Sequence, residues 1–211
     1  MLDARPYRDR HQIVAFLTRG HGTVRAVVRD ARAGKAPSAA ATQILSHVRV
    51  VAHQGPSAEL ATCQRVDLRR SSFPLASDLA RSSAAAVVAE LLTTFVPPGD
   101  HDALPYRLGV ALLEALLGGV DPDIVVGYAQ VWCLRLAGLL GQPDGDGPTA
   151  PAPLPEGIEL FVTACRRLPP GDMPGAAPDA VAGWLDRRIR HEAERRLPAL
   201  DFYRSNASSL P

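Results

Sequence analysis

"RPYRDRHQIVAFLTRGHGTVRAVVRDAR", Arg5 to Arg32, alternates apolar and polar residues, turns on glycine, and alternates again. IVAFLT over residues 13–18 is rich in β-formers, RGHG over 19–22 supplies a glycine turn, and TVRAVVR over 23–29 resumes the alternation. This is a strand–turn–strand pattern. In its second strand Val24, Ala26 and Val28 share one face, and Arg25, Val27 and Arg29 share the other. The residues that follow, 30–42, are small and polar and read as a loop. A third strand is expected over 43–52, with Val48 and Val50 on one face and His47 and Arg49 opposite; HQGP then turns the chain into a fourth strand over 57–66.

After Arg70 the period changes. Leu79, Ala86, Val87, Leu91 and Phe95 recur at helical spacing over residues 75–96, with Pro97 and Pro98 as the stop. A second helix is expected over 104–117, ending at Gly118 and Gly119. Asp121 as N-cap and Pro122 at the first helical position open a third, running to Leu140. Residues 142–155 are rich in proline and glycine and read as a linker. Amphipathic helices follow over 156–168 and over 178–197, the latter with Val181, Trp184, Leu185 and Ile189 on one face, and the tail after Asn206 is expected to fray. Strands segregated from helices indicate an α+β chain of two modules, residues 1–72 and 73–211, rather than a βαβ sheet. A small all-β module of this size could be an OB-fold or an SH3-like barrel, and periodicity does not choose between them.

The net charge of +1 hides an asymmetry. Residues 1–72 hold twelve Lys or Arg against five Asp or Glu, a net of +7, whereas residues 73–160 hold three against eleven, a net of −8. A basic module joined to an acidic one suggests a polyanion partner for the first. Arg25, Arg29 and Arg49 stand on polar strand faces, Arg8 and Arg10 precede the first strand, and Arg32 and Lys35 lie in the loop. Guanidinium groups bind phosphates bidentately, and each contact releases a counterion. An ordinary wet sheet face would look the same for any single arginine, but the cluster has few acids to pair with. Tyr7 and Phe16 are the only aromatics before residue 72, and Phe16 reads as core, so binding should be mainly electrostatic.

Catalytic chemistry is poorly supplied. GHGTVR joins two strands and lacks the following helix of a dinucleotide fingerprint. There is no G-x-S-x-G elbow and no P-loop, and the six histidines are dispersed; His11, His21 and His53 read as solvated and His47 as a surface residue. Cys63, Cys133 and Cys165 are odd in number and far apart, which supports neither a disulfide framework nor a zinc cluster and suits a reducing cytoplasm. Asp121 and Asp123 are explained by helix capping, and Cys133 reads as a buried small hydrophobe. No signal h-region follows the N-terminus, and the apolar stretch from Ile124 to Leu140 is broken by Gln130 and Arg135, so a soluble, non-enzymatic protein without cofactor or metal is expected.

The order of features from Ala4 to Arg32 resembles the N-terminus of the RecO family of bacterial DNA repair and recombination mediators. Arg5-Pro6-Tyr7, Leu17-Thr18, Gly22-Thr23-Val24 and Ala31-Arg32 match that family's R-P-[YW], strand-closing threonine, G-x-[VL] turn and K-G-A-R. PLASDLARSSAAAVVAELL and the helix ending LRLAGLLG fit its later layout. The resemblance implies an N-terminal OB-fold β-barrel followed by an all-α domain, nucleoid-associated and without catalysis. It implies binding of single- and double-stranded DNA, annealing of complementary strands, and assistance to RecA loading together with RecR. It also implies contact with the acidic tail of single-stranded-DNA-binding protein, for which Trp132 and Arg135 are the candidate residues, since the family's tail-binding arginine aligns with Gln130 or Val131.

The sequence departs from the family at Asp30, where glycine is usual, and at Ala41 to Leu45, which replace a G-x-L-Q-P stretch. The linker 142–155 stands where many members carry four zinc cysteines, and little chain precedes Ala4 for the first family strand, so a short barrel is one expectation. The competing reading is an interaction scaffold of the same pathway with weak or lost DNA binding, favoured by Asp30 and the missing strand.

Overall fold

The computed structural model describes residues 1–29, 43–56, 58–140 and 156–207. Five strands come first: β1 Asp3–Tyr7, β2 His11–Leu17, β3 Thr23–Val28, β4 His47–His53 and β5 Ala61–Arg70. They form one sheet in the order β1-β2-β3-β5-β4, antiparallel except where β3 runs parallel to β5. Six helices follow: α1 Leu79–Phe95, α2 Leu104–Leu117, α3 Pro122–Leu136, α4 Glu156–Arg167, α5 Asp179–Ala193 and α6 Pro198–Ala207. This is the expected α+β arrangement of an N-terminal OB-type sheet and a helical module. No ladder joins β1 to β4 among the described residues; their ends meet instead through Leu45 N–H on the Met1 carbonyl (2.8 Å) and the Met1 amine on the Ser46 carbonyl (2.9 Å).

The expected first strand is not missing. DARPY pairs with β2 from Asp3 opposite Ala15 to Tyr7 opposite His11, so Arg8 and Arg10 sit in a hairpin turn between two strands rather than ahead of the first. Arg8 takes φ +54, which the turn requires. The hairpin of β2 and β3 is as the alternation predicts: Val14 and Phe16 face Ala26 and Val24 across the ladder, and with Val28, Ala61 and Cys63 they form the sheet's own core. The third strand starts four residues later than expected and ends one later, and the fourth lies four residues further along. Leu45 adopts φ +64, a conformation the sequence of a leucine does not announce, and only after it does the chain extend.

The helical module is where most apolar area is buried. Leu91, Leu92, Leu112, Leu113, Leu116, Leu134, Leu185 and Ile189 are all fully buried. Asp121 caps α3 as expected, accepting from Asp123 N–H at 2.8 Å, but α3 stops at Leu136 rather than Leu140, because Gly138 turns left-handed at φ +71. The expected helix over 178–197 stops at Ala193, and a further helix follows beyond it. Glu194 at φ +50 ends α5, and Pro198 opens α6. The N–H groups of Ala199 and Leu200 at the start of α6 are capped from afar by the Glu90 carboxylate of α1, both at 3.1 Å. Arg204 then joins three helices, with two N–H groups on the Asp186 carboxylate and one on Asp123. The linker expected over 142–155, the loop expected over 30–42 and the last four residues lie outside the described residues.

The two modules share a core, since Leu2, Ala15 and Leu45 belong to the helical cluster. They are also clamped through the RGHG turn. Thr23 donates its N–H to the Pro97 carbonyl (3.3 Å) and its hydroxyl to the Val96 carbonyl (3.0 Å). Gly99 N–H donates to the His21 carbonyl (3.0 Å), and His101 Nδ1 bonds the Gly20 carbonyl (2.8 Å). Gly22 sits in the middle of the clamp at φ +57, where a Cβ would overlap the Pro97 carbonyl oxygen. Gly22 of GHGTVR therefore serves a close backbone approach between modules.

Candidate nucleic-acid interface

The outer face of the sheet is divided. At the Leu17–Thr23 end it is covered: Leu17 packs into the helical core, with its Cδ2 against Gly109 of α2. At the opposite end it is bare. There Tyr7 of β1 stands directly across from His11 of β2. The next ladder pairs Gln12 with Val28 of β3, which brings Arg29 alongside His11, and Val27 pairs with Thr62 of β5. Tyr7, Arg8, His11, Val27, Arg29 and Thr62 line one cleft. The Arg8 guanidinium lies 5.2 Å from the centroid of the Tyr7 ring.

Of the arginines expected to bind phosphate, Arg8 and Arg29 are thus brought together in this cleft. Arg25 lies on the same exposed face of β3, opposite Ala15, and Arg10 is exposed in the β1–β2 turn. Arg49 is exposed on β4 between Val48 and Val50, which pack on the sheet's own core, so it stands on the outer face at the sheet's other edge. None of Arg8, Arg10, Arg25, Arg29 and Arg49 forms an ion pair among the described residues, whereas Arg5 is held by Asp3 and Arg65 by Asp67. Arg32 and Lys35 lie outside the described residues. The arrangement offers unpaired guanidinium groups around one aromatic ring, which suits a phosphate backbone and one stacked base.

His11 and Tyr7 complete a cleft that reading the arginines alone does not find. The signal was present: R-P-Y and D-R-H flank a two-strand turn, and the hairpin register sets Tyr7 against His11. His47 is not a plain surface residue. Its Nε2 is hydrogen-bonded to the Tyr106 hydroxyl of α2 at 2.7 Å, and burial, with a push from nearby positive charge, lowers its pKa from the ordinary histidine value. It therefore ties β4 to the helices and is unavailable for phosphate.

On the helical module Trp132 is half-buried, with its indole N–H donated to the Cys165 carbonyl at 3.0 Å, and Arg135 covers its ring at 5.0 Å. Gln130 and Val131, the positions aligned with the family's tail-binding arginine, are fully buried, and Gln130 Nε2 is committed to Asp186 at 2.7 Å. Burial pushes the Cys133 and Cys165 thiols up to about 12, so neither is a nucleophile at neutral pH. Among the described residues no three His, Cys, Asp or Glu side chains gather in a way that could hold a metal ion, and no helix is long and apolar enough to cross a membrane.

Comparison with known proteins places the chain among one set of relatives. The family model described as "Recombination protein O N terminal" matches residues 1–72. "DNA repair protein RecO" of Symbiobacterium thermophilum is 37% identical over 141 residues, 67% of this chain and 54% of that protein. The protein of the same name from Moorella thermoacetica is 32% identical over 139 residues, 66% of this chain and 51% of its own length. The match thus spans about half the length of these two relatives. That of Anaeromyxobacter sp. (strain K) is 28% identical over 237 aligned residues, covering 96% of this chain and 92% of the relative. With the strand order, the helical module and these matches in agreement, the chain belongs to the RecO family.

Proposed function

We propose that this protein acts in DNA repair and recombination by binding single- and double-stranded DNA on the outer face of its sheet and annealing complementary strands, and that it assists RecA loading together with RecR. The observation that carries the DNA reading is the cleft of Tyr7, Arg8, His11 and Arg29, with unpaired Arg25 and Arg10 beside it. Two complementary strands repel each other through their phosphates, and a basic surface that screens this repulsion speeds annealing without any catalytic group. No covalent step is part of this reading. The scaffold alternative loses one of its two supports, because β1 is present; the other, Asp30, lies outside the described residues.

The test is fluorescence anisotropy of a labelled single strand over a salt series, with strand annealing measured in parallel. Replacing Arg8, Arg25 and Arg29 together by glutamine should lower the slope of log K against log salt by about 2, from roughly 0.7 per lost phosphate contact, and leave the circular dichroism spectrum unchanged. An affinity unaffected by the triple substitution would overturn the sheet-face assignment.

A further inference from the structure

A second cationic cleft lies on the helical module. Helix α4 is amphipathic: Ile158, Phe161, Val162 and Cys165 are buried, while Thr163, Arg166 and Arg167 are exposed at the i, i+3 and i+4 spacing that shares one face. The end of α4 is pinned to α3 by two aromatic side chains. Trp132 donates to the Cys165 carbonyl (3.0 Å) and the Tyr128 hydroxyl to the Leu168 carbonyl (3.2 Å). These carbonyls belong to a helix end that has no intrahelical partners for them. The pinning sets Arg166 and Arg167 beside Arg135 in the last turn of α3, and the stack on Trp132 fixes the Arg135 guanidinium. Arg135, Thr163, Arg166 and Arg167 line a cleft of about 390 Å3.

Among the described residues none of these three arginines has an ion-pair partner and no carboxylate lines the cleft. A helix C-terminus favours a cation, which accounts for one arginine on each helix but not for three converging on one space. Like charges gathered on a pinned framework repel until an anion sits between them. The lining is mostly polar, guanidinium and hydroxyl. It offers little apolar surface for the side chains of a peptide, and the Trp132 ring and N–H are already engaged. Tetrahedral oxyanions on a continuous backbone match such a lining.

We propose that this cleft binds the phosphodiester backbone of a second single strand of nucleic acid, separate from the strand held on the sheet. This deepens the annealing reading above and rests on it for the identity of the polyanion. The full chain is titrated with short oligo(dT), and bound strands per chain are counted by analytical ultracentrifugation; annealing is timed alongside. The wild-type protein should bind two strands, and the R135Q/R166Q/R167Q protein one, with annealing slowed at least five-fold. The matching triple lysine variant keeps the charge and should recover most of the annealing rate. One strand per chain in the wild type, or annealing untouched by the triple glutamine change, overturns the proposal. Loss of binding to an acidic peptide probe with annealing unchanged overturns it in favour of a protein partner. Should the sheet variant bind and anneal normally while the α3–α4 variant does not, the second site stands and the sheet reading falls.

Discussion

Gly20 and Gly22 lie two residues apart in one turn, yet replacing each by alanine should have very different consequences. At Gly20 an added Cβ meets nothing within 4 Å and φ is not in the left-handed region, so Gly20→Ala should change stability by no more than about 0.5 kcal/mol. At Gly22 two costs combine. The backbone stands at φ +57, which charges a non-glycine residue about 1–2 kcal/mol. The Cβ also overlaps the Pro97 carbonyl and presses on Asp100 N, both of them backbone atoms that cannot swing aside. Relief requires the turn to back away from residues 96–101, which strains or breaks the Thr23–Pro97 and Gly99–His21 hydrogen bonds. At about 0.5–1.5 kcal/mol each, those add 1–3 kcal/mol. The expected total for Gly22→Ala is about 2–5 kcal/mol. Urea denaturation followed by far-ultraviolet circular dichroism measures it. The reasoning is refuted if Gly22→Ala costs under 1 kcal/mol, or if Gly20→Ala costs as much.

The remaining predictions concern the helices and their junction with the sheet. His47 has a lowered pKa when folded, so its contribution to stability is complete above the unfolded value of about 6.5 and is lost as pH falls below it towards the folded value. His47→Gln should remove that part of the acid-side decline, read as a flatter midpoint-against-pH curve between pH 7 and 5. Glu90→Ala leaves two α6 N–H groups without their acceptor and should cost about 1–2 kcal/mol in the same urea assay, with Glu90→Gln retaining part of it.

How much of this was legible depended on whether the deciding interaction was local. The β2–β3 hairpin was, because alternation and glycine are read within twenty residues. So were both ends of α2, between Pro105 and Gly118, and the Asp121 cap of α3. β1 was hidden because DARPY carries two charges, Asp3 and Arg5, and a proline, and its strand character comes from pairing with β2 rather than from its own residues. The offset of β4 follows from Leu45 at positive φ, and the break between α5 and α6 from Glu194 in the same region; neither residue type signals it. Arg25 and Arg29 were legible as a polar strand face. The partners of His47, 59 positions away, and of α6, more than a hundred positions away on Glu90, are set by tertiary packing and leave no mark on the local pattern.

The distant cap on α6 bears on the order in which this chain can become complete during synthesis. α1 emerges early and packs on α2 and α3, but it packs on α6 as well, its Glu90 waits for N–H groups that are made a hundred residues later, and Asp123 and Asp186 wait likewise for Arg204. Until residues 198–204 have left the ribosome, Glu90 lacks the helix end it caps, and Asp123 and Asp186 lack the guanidinium that joins them. A nascent chain stalled before Pro198 therefore carries three carboxylates on α1, α3 and α5 that still await partners from α6.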